Sequence, residues 1–548
     1  MALHIMKIHA FTLRDLWKTI IPRLGVGSPP MVPAWPPDAF ALTAHALRHA
    51  GAYIGVLSNW PPPVESGKEW ADHCEAVAKK WRGVVVKSSS LPKEVQSCWG
   101  RISAGLDQPL ADLSDSLNSE PARAMLELMA YADQACLPLA AERVPGASFD
   151  PISFVFARKA FEQMQRKNAT KSLCREIDVS RLRVLPKARV PQRGLTIRSL
   201  SLYVGLCEGA EIETTFIDHQ SYPEAPAINI LLLPWPLRVR PAQFRQTRQL
   251  TNEMATISDE FGFFTYESAQ AGKGFEDGLE DLLEEAAKEC GPVNMVVLPE
   301  LALSSKEVDS VRNLLNSWGC TLITGVGEAA VSGSKHGTNR LQFSVPGYEA
   351  IVEQEKQHRW KLDSSQVIQY SLGSSLHHET AWWEHIDIAR RRLALIRMHP
   401  ELTACALICE DLARSDPAGD QIRALGPNLV VALLMDGPQL LSRWAARHAT
   451  TLAEDPGCSV LTLTSLGMSQ LSRPGKGPNR DRVIALWKQE GGSAEEIELP
   501  LGSAAAVLSI SMKHVKDWSA DGRSRCSNIP SLTGVRFLKA EKLSTLPL

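Results

Sequence analysis

The sequence lacks any apolar run long enough to cross a membrane, and it lacks a paired cysteine motif. A spanning helix needs about 18–20 apolar residues, whereas Leu429–Met435 and Ala504–Met512 are only as long as a strand or a core helix. The sequence has 11 cysteines, an odd number, and none of them form a C-x-x-C pair. This pattern favours a protein of a reducing compartment. Residues 1–25 show no separate basic and apolar regions, so they make a poor signal peptide. We therefore expect a cytoplasmic protein with no membrane partner.

A strong charge of either sign is also missing. The net charge is −2 over 548 residues, so no whole-chain field points to nucleic acid or to a membrane surface. The 44% hydrophobic and 22% charged residues exclude a disordered or collagen-like chain. Residues 181–198 form a basic stretch, which we interpret as a solvated linker or edge strand. This stretch alone leaves nucleic-acid binding open.

The chain changes character near residue 226. Residues 1–220 alternate proline-rich segments with helical stretches, which predicts a mostly α-helical N-terminal domain of unknown role. Residues 211–226 have the composition of a linker. In residues 226–515, short apolar strands alternate with helices, the pattern of an α/β domain whose sheet is covered by helices. Residues 516–548 are expected to form a C-terminal extension.

The strands expected in the second domain are short and mostly apolar. They are Asn229–Leu233, Met295–Leu298, Thr321–Thr324, Thr403–Cys409, Leu429–Leu434, Ser459–Thr464 and Ala504–Met512. Phe275–Glu289 carries its apolar residues on one helical face. Ser304 and Glu307 form a capping-box signature for a further helix, and Gly319 is placed to end it.

Three positions at or near strand ends carry residues suited to nucleophilic chemistry. Glu300 follows a strand, at the edge where α/β proteins place ligand sites. Lys356 follows an extended stretch and could supply a fixed cation beside a reacting carbonyl oxygen, with Lys361 as a competing candidate. Cys409 leaves an apolar strand and is followed by two acids, and a nucleophilic cysteine needs a nearby base or cation.

In the order Glu300, Lys356 and Cys409, these residues resemble the catalytic triad of the nitrilase superfamily, the carbon–nitrogen hydrolases. The resemblance covers about residues 226–512, and Cys409-Glu410-Asp411-Leu412 looks most like the glutaminase-type members that feed NAD synthesis. It implies a four-layer α-β-β-α sandwich that needs no metal or organic cofactor. It also implies a homodimer or a larger homo-oligomer.

The resemblance further implies how the three residues act. Glu300 takes the thiol proton, and Cys409 attacks the carbon of an amide or, less often, of a nitrile. Lys356 and the backbone N–H of Glu410 stabilise the developing negative charge. Water activated by Glu300 then cleaves the thioester.

The family's second glutamate has no clear counterpart in the sequence. Gln366 stands near its expected place, and Glu379 and Glu384 are alternatives within an insertion at 371–388 that is rich in His and Trp. Arg443 matches the arginine-containing helix of the family. Gln366 and Arg443 are therefore the candidate supporting residues.

A metal site is a weaker interpretation of the same insertion. His377, His378, Glu379 and His385 are metal-ligand residue types, but their spacing does not match a helical HxxxH pair. We expect solvated histidines there and no metal.

Three functions remain open on the sequence, and one of them is purely structural, with the nitrilase-like layer serving only to drive oligomerisation. The leading one is a cysteine-dependent amidohydrolase that cleaves a non-peptide C–N bond of a small molecule. The alternative is a sensor, binding or signalling protein in which residues 1–220 are the effector or docking part. Nitrilase-like domains resembling this one also occur joined to reverse transcriptases in bacterial antiphage systems. Because we find no polymerase motif in this sequence, that role would need a separate partner.

Overall fold

A computed structural model of the chain describes residues 10–21, 31–56, 67–115, 119–142, 150–165, 171–209, 211–218, 227–247, 261–268, 272, 274–329, 336–348, 351–472 and 480–544. The chain divides into two units. The first comprises Met1–Ala210, Gln421–Gly426 and His514–Ser527, and the second comprises Glu211–Asp420, Pro427–Lys513 and Asn528–Leu548. None of the described helices combines the length and the apolar character needed to cross a bilayer.

The first unit is rich in helices, as predicted. Its helices are α1 (Leu13–Lys18), α2 (Pro36–Ala50), α3 (Ala52–Val56), α4 (Gly67–Lys87), α5 (Lys93–Ala104), α6 (Asp112–Asp115), α7 (Glu120–Ala135) and α8 (Pro151–Gln165). The strands β1 (Leu182–Pro186) and β2 (Val204–Glu208) pair antiparallel. Helix α7 packs against α2, α4 and α5 and is buried along most of its length, so it forms the centre of this unit.

A buried ionic network joins distant segments of the first unit. Asp133 on α7 accepts the backbone N–H groups of Leu202 at 2.8 Å and Tyr203 at 2.9 Å. It also pairs with Arg523 Nη1 at 2.9 Å, and Arg523 binds Asp521 at 2.8 Å. The side chains of Asp133 and Arg523 are at most 1% exposed, so their charges are compensated by protein groups rather than by water. The network fixes the 514–527 segment within the first unit.

Part of the basic stretch 181–198 is also buried in this unit. The ammonium of Lys187 donates to the backbone oxygen of Ser201 at 2.9 Å, and burial lowers the pKa of Lys187 to about 7. The guanidinium of Arg189 forms two 3.1 Å hydrogen bonds with Asp517. These two cations are packing elements rather than parts of an open phosphate-binding surface.

Two seven-stranded sheets dominate the second unit. Its strands are β3 (Glu213–Asp218), β4 (Ile228–Leu232), β5 (Phe244–Gln246), β6 (Phe261–Tyr266), β7 (Met295–Val297), β8 (Thr321–Glu328), β9 (Thr338–Ser344), β10 (Val352–Glu355), β11 (Lys361–Leu362), β12 (Ala381–Glu384), β13 (Arg392–His399), β14 (Leu402–Ile408), β15 (Leu429–Leu434), β16 (Ser459–Thr464), β17 (Val483–Lys488), β18 (Ala494–Glu498), β19 (Ala505–Trp518) and β20 (Ser524–Leu538). One sheet has the order β10-β9-β8-β7-β4-β19-β20 and the other β18-β17-β16-β15-β14-β13-β3. A four-stranded sheet, β11-β12-β6-β5, is separate from both.

Helices cover both large sheets. The remaining helices are α9 (Phe275–Cys290), α10 (Glu307–Ser317), α11 (Ser364–Gln369), α12 (Ala418–Leu425), α13 (Trp444–Glu454), α14 (Leu466–Leu471) and α15 (Glu541–Ser544). Helices α9 and α10 pack on the first sheet and α13 packs on the second, while the sheets contact each other through β9 with β14 and β10 with β13. The predicted four-layer α-β-β-α sandwich is confirmed.

Parallel pairing at the centre of each sheet brings several strand ends to one edge. Strands β4, β7 and β8 are parallel, and so are β14, β15 and β16. A buried apolar cluster that includes Leu279, Leu283, Val296 and Leu322 holds α9 on the first sheet. The sheet and its helix therefore hold in place the chain segments that follow the carboxyl ends of these strands.

Two segments differ from the sequence expectation. The linker expected at 211–226 contains β3, whose buried and half-buried residues partly alternate and which pairs in parallel with β13. Residues 219–226 lie outside the described residues. The expected extension 516–548 contributes β20, which lies beside β19 at the edge of the first sheet. In both cases the strand is polar enough to resemble a surface segment in the sequence.

Replacing Asp133 with Ala should strongly destabilise the first unit. The change leaves the buried Arg523 guanidinium short of a partner, and breaking a buried pair in this way typically costs about 3–5 kcal/mol. Thermal and urea unfolding of the full chain measure the effect. Asp112→Ala, at an exposed aspartate of α6, is the control and should change stability by less than about 0.5 kcal/mol. Equal stability of the two variants would contradict the role given to the network.

Candidate active site

Glu300 lies three residues beyond the end of β7. The backbone oxygen of its neighbour Pro299 accepts the N–H of Gly325 on β8 at 3.1 Å, so the two segments run in close contact. A Cβ atom added at Gly325 would lie 2.5 Å from the Cα of Glu300 and 2.5 Å from the backbone nitrogen of Leu301. Glycine at 325 is therefore required for the observed position of the Glu300 backbone.

Lys356 follows the last residue of β10 and is fully buried. Its backbone N–H donates to the oxygen of Asn339 on β9 at 2.9 Å, which continues the pairing of the two strands. Its Nζ lies 2.8 Å from Glu300 Oε1 and 2.6 Å from Glu384 Oε2. The predicted pair of Glu300 and Lys356 is thus in direct contact. The competing Lys361 is exposed and lies 5.5 Å from the ring centroid of Trp383.

Glu384 occupies the second carboxylate position of this cluster. It ends β12, which pairs in parallel with β6 and places part of the expected insertion in a sheet. Asn339 Nδ2 donates to Glu300 Oε1 and to Glu384 Oε1, each at 2.8 Å, so one amide fixes both carboxylates. The structure does not bring Gln366 to the cluster. Gln366 instead caps α11 through reciprocal hydrogen bonds with Asp363.

The protonation states of this cluster follow from burial and charge. Burial alone would lower the pKa of Lys356, but the carboxylates of Glu300 and Glu384 outweigh it and raise this pKa well above its usual value. Burial, reinforced by the charge of Glu384, raises the pKa of Glu300 against the opposing effect of Lys356. Glu300 Oε1 accepts from Lys356 and Asn339, while Oε2 is buried without a partner among the described residues. Oε2 is therefore the atom left to accept a proton.

Cys409 directly follows β14 and begins a short 3-10 helix, Cys409–Ala413. Its φ of 44° lies in the left-handed region, which is rare for a residue with a side chain and is typical of strained functional turns. The residue is 3% exposed. Burial and then the charge of Glu300 raise the thiol pKa well above its usual value, while Lys356 and a backbone hydrogen bond from Met435 oppose the shift. The thiol is therefore protonated at neutral pH and lies within electrostatic range of both other predicted residues.

Glu410, the residue predicted to supply a backbone donor, directly follows the cysteine. Glu410 is the second residue of the 3-10 helix, and N–H groups in the first turn of a helix have no partner within it. Its side chain is held away by an ion pair with Arg414. The backbone N–H of Glu410 is therefore able to donate a hydrogen bond to an oxygen that becomes negatively charged.

Asp411 was part of the sequence motif but had no predicted role. It is 1% exposed and accepts the backbone N–H groups of Gln357 at 3.1 Å and His358 at 3.0 Å. His358 Nδ1 lies 2.9 Å from the same carboxylate. Asp411 therefore ties the turn after Lys356 to the turn after Cys409. The signal in the sequence was an acid two residues beyond the cysteine.

Arg443, the second predicted supporting residue, acts through Asp436. Its Nη2 lies 2.6 Å from Asp436 Oδ1, and Trp444 Nε1 donates to Oδ2 at 2.9 Å. The hydroxyl of Tyr370 also donates to Asp436. The charge of Asp436 contributes to the raised pKa of Cys409, so this group lies near the thiol. Asp436 follows β15 by two residues, which makes it a strand-end acid of the same kind as Glu300.

The chain is similar to several solved structures at low sequence identity. No protein-family model and no curated protein matches the chain. Similar solved structures include a CN-hydrolase superfamily protein from Xanthomonas campestris, 16% identical with a TM-score of 0.27 over 58% of this chain and 92% of that one. Nit3 of Saccharomyces cerevisiae, from branch 10 of the nitrilase superfamily, is 11% identical with a TM-score of 0.30 over 59% and 95%.

An amidase from Nesterenkonia sp. is 12% identical with a TM-score of 0.28 over 60% of this chain and 97% of that one. These proteins belong to the superfamily predicted from the motifs. At such identities and TM-scores the likeness carries no argument by itself, and the architecture stands on the strand pairing of the chain.

Replacing Gly325 with Ala should disturb the position of Glu300 more than the fold. The added methyl group meets backbone atoms 2.5 Å away, so the 300–301 segment must move. We expect the alkylation of Cys409 by chloroacetamide, followed by peptide mass spectrometry, to slow at least about 10-fold. Gly373→Ala is the control, because an added Cβ there meets nothing within 4 Å. Unchanged alkylation in the Gly325 variant would show that the close approach does not set the position of Glu300.

Proposed function

We infer that the second unit is a cysteine-dependent carbon–nitrogen hydrolase of the nitrilase superfamily, acting on the amide bond of a small molecule. The observation that carries this proposal is the fully buried Lys356 ammonium between the carboxylates of Glu300 and Glu384, within electrostatic range of the Cys409 thiol. A nucleophile, a base with one unpaired oxygen and a fixed cation are the groups that this hydrolysis needs.

The first half of the proposed reaction forms a thioester. Glu300 Oε2 takes the proton of the Cys409 thiol while the sulfur attacks the amide carbon, and the carbonyl oxygen becomes negatively charged. The ammonium of Lys356 and the N–H of Glu410 stabilise that oxygen in a water-poor site. The C–N bond then breaks, and Glu300 gives its proton to the leaving ammonia or amine.

The second half regenerates the enzyme. Glu300, again ionised, takes a proton from a water molecule that attacks the thioester carbon. The same two donors hold the oxyanion, and the C–S bond breaks as the proton returns to the sulfur. The products are a carboxylic acid and the free thiol, so the reaction needs no oxidant, metal or organic cofactor.

Glu384 has a positioning role in this scheme. It neutralises the second side of the Lys356 ammonium and shares the Asn339 amide with Glu300. The N–H of Trp360 also donates to it at 3.1 Å, which fixes the carboxylate from a third direction. These contacts keep the Lys356 ammonium in one position throughout the proposed reaction. Trp360 also belongs to an apolar cluster with Leu301, Tyr370 and Met435, which lowers the local dielectric constant beside the reacting groups.

Chloroacetamide, a small alkylating amide, should label Cys409 faster than the other cysteines near neutral pH. Cys526 is exposed and provides an internal rate for an ordinary thiol. Glu300→Gln should slow labelling of Cys409 by about 10²-fold or more, since a positioned general base contributes 10²–10⁴-fold, and should leave Cys526 unchanged. The measurement is peptide mass spectrometry over a time course.

Cys405→Ala is the matched control for this experiment. It removes a fully buried thiol from the same strand and should leave the labelling of Cys409 intact. The Cys409→Ala variant should in turn release no ammonia from any amide in a library that the wild type hydrolyses. Slow labelling of Cys409 in the wild type, at the rate of the other buried cysteines, would favour the sensor or binding function instead.

The rate of Cys409 labelling should rise with pH through the ionisation of Glu300. A protonated carboxyl cannot accept the thiol proton, so the rate is low below the pKa of Glu300 and high above it. Burial raises that pKa, so the midpoint should lie above the ordinary glutamate value of about 4.3. In Glu300→Gln the acidic midpoint should disappear, and labelling should increase only at strongly alkaline pH because the thiol pKa is raised. A wild-type profile that follows an ordinary thiol pKa of about 8.5 would contradict the assigned base.

A further inference from the structure

Two histidines and a glutamate meet in the first unit, outside the chemistry described above. His45 and His49 are four residues apart on α2, so both side chains leave the same face of the helix. Glu208, at the end of β2, is 163 residues further along the chain than His45 and reaches the same point. One donor atom of each residue lies within 4.8 Å of the other two.

The distances are close to those of a metal coordination sphere. His45 Nδ1 lies 2.7 Å from Glu208 Oε1, and His49 Nε2 lies 3.7 Å from the same oxygen. A tetrahedral zinc ion with bonds of about 2.0–2.1 Å separates its donors by about 3.4 Å. A shift of less than about 1 Å between His45 and Glu208 therefore makes room for an ion.

The imidazole of His45 is fixed in place before any ion binds. His45 is only 7% exposed, and its Nδ1 is the ring nitrogen that faces Glu208. A ligand whose orientation is already held by the surrounding protein loses little conformational freedom on binding a metal.

The two oxygens of the Glu208 carboxylate face different partners. His45 Nδ1 and His49 Nε2 both lie nearest to Oε1. Arg48 Nη1 lies 3.3 Å from Oε2, which leaves Oε1 for the ion and orients the carboxylate.

We propose that His45, His49 and Glu208 bind a divalent transition-metal ion of the zinc class. Two imidazoles and one carboxylate favour zinc, cobalt, nickel or copper over magnesium or calcium, which prefer oxygen ligands. Three protein ligands leave a fourth position for water, on the side where His49 is 45% exposed. The ion would join α2 to β2 and stabilise the first unit in proportion to its occupancy.

Cobalt(II) tests the site in the full chain without an affinity tag. The protein is stripped with a chelator, the chelator is removed, and Co²⁺ is added while the visible absorption and the melting temperature are recorded. We expect one equivalent of Co²⁺ to give the bands of a four- or five-coordinate ion with nitrogen and oxygen ligands, and to raise the melting temperature. Zn²⁺ should then displace it.

Two variants and one control decide the assignment. His49→Ala removes a half-exposed ligand, and Glu208→Gln removes the ligand charge while keeping the side-chain shape. Each should weaken Co²⁺ binding by more than about 100-fold, beyond the 10–100-fold typical of residues that only support ligands. His377→Ala, at an exposed histidine of the second unit, should bind like the wild type.

Three results would overturn the proposal. They are the absence of Co²⁺ binding by the wild type, equal binding by the wild type and both ligand variants, and a spectrum made only of sulfur-to-cobalt bands. The last would place the ion on a cysteine. Circular dichroism of each variant separates loss of a ligand from loss of folding.

Discussion

The buried ammonium of Lys356 is the constraint on which the second unit depends. An ion taken out of water costs several kcal/mol unless its partners are well placed, so Lys356 can be buried only where Glu300 and Glu384 both meet it. These three residues come from the ends of β10, β7 and β12. Those strands must therefore be correctly assembled before the ion cluster is stable. The contact of Lys356 with both carboxylates is therefore needed for the stability of the fold and also for the proposed chemistry.

The cluster also determines how the cysteine can react. The thiol of Cys409 is buried beside a carboxylate, and both effects keep it protonated. A preformed thiolate, the usual form of an activated cysteine, is disfavoured here. In the proposed hydrolysis the thiol loses its proton during the attack, and Oε2 of Glu300, which has no partner among the described residues, takes it. The raised pKa of the thiol makes this base indispensable to the proposed reaction.

The sequence predicted the strands of the two sheet centres more accurately than the sheet edges. Leu429–Leu434 has the predicted bounds, because a strand buried on both faces is recognisable as a uniformly apolar run. Ser459–Thr464 also has the predicted bounds, although it carries Ser and Thr among its buried residues. The edge strand β3 was interpreted as a linker, because a strand with polar, half-buried positions resembles a surface segment. β12 was interpreted as part of an insertion, since its pairing partner β6 lies more than a hundred residues earlier in the chain.

The sequence by itself determined the α/β class and the positions of Glu300 and Cys409 beside apolar strands, because such strands are recognisable from their own residues. The α-β-β-α arrangement and the grouping of these two residues with Lys356 came from the resemblance to the nitrilase superfamily. Only the tertiary structure decided that Glu384 joins the cluster while Gln366 does not, and that Asn339 links Glu384 to Glu300. The same holds for Glu208 beside His45 and His49. Such contacts join residues that are far apart in the chain. The residues next to a given position in the sequence carry no information about which distant strand will lie beside it in the fold.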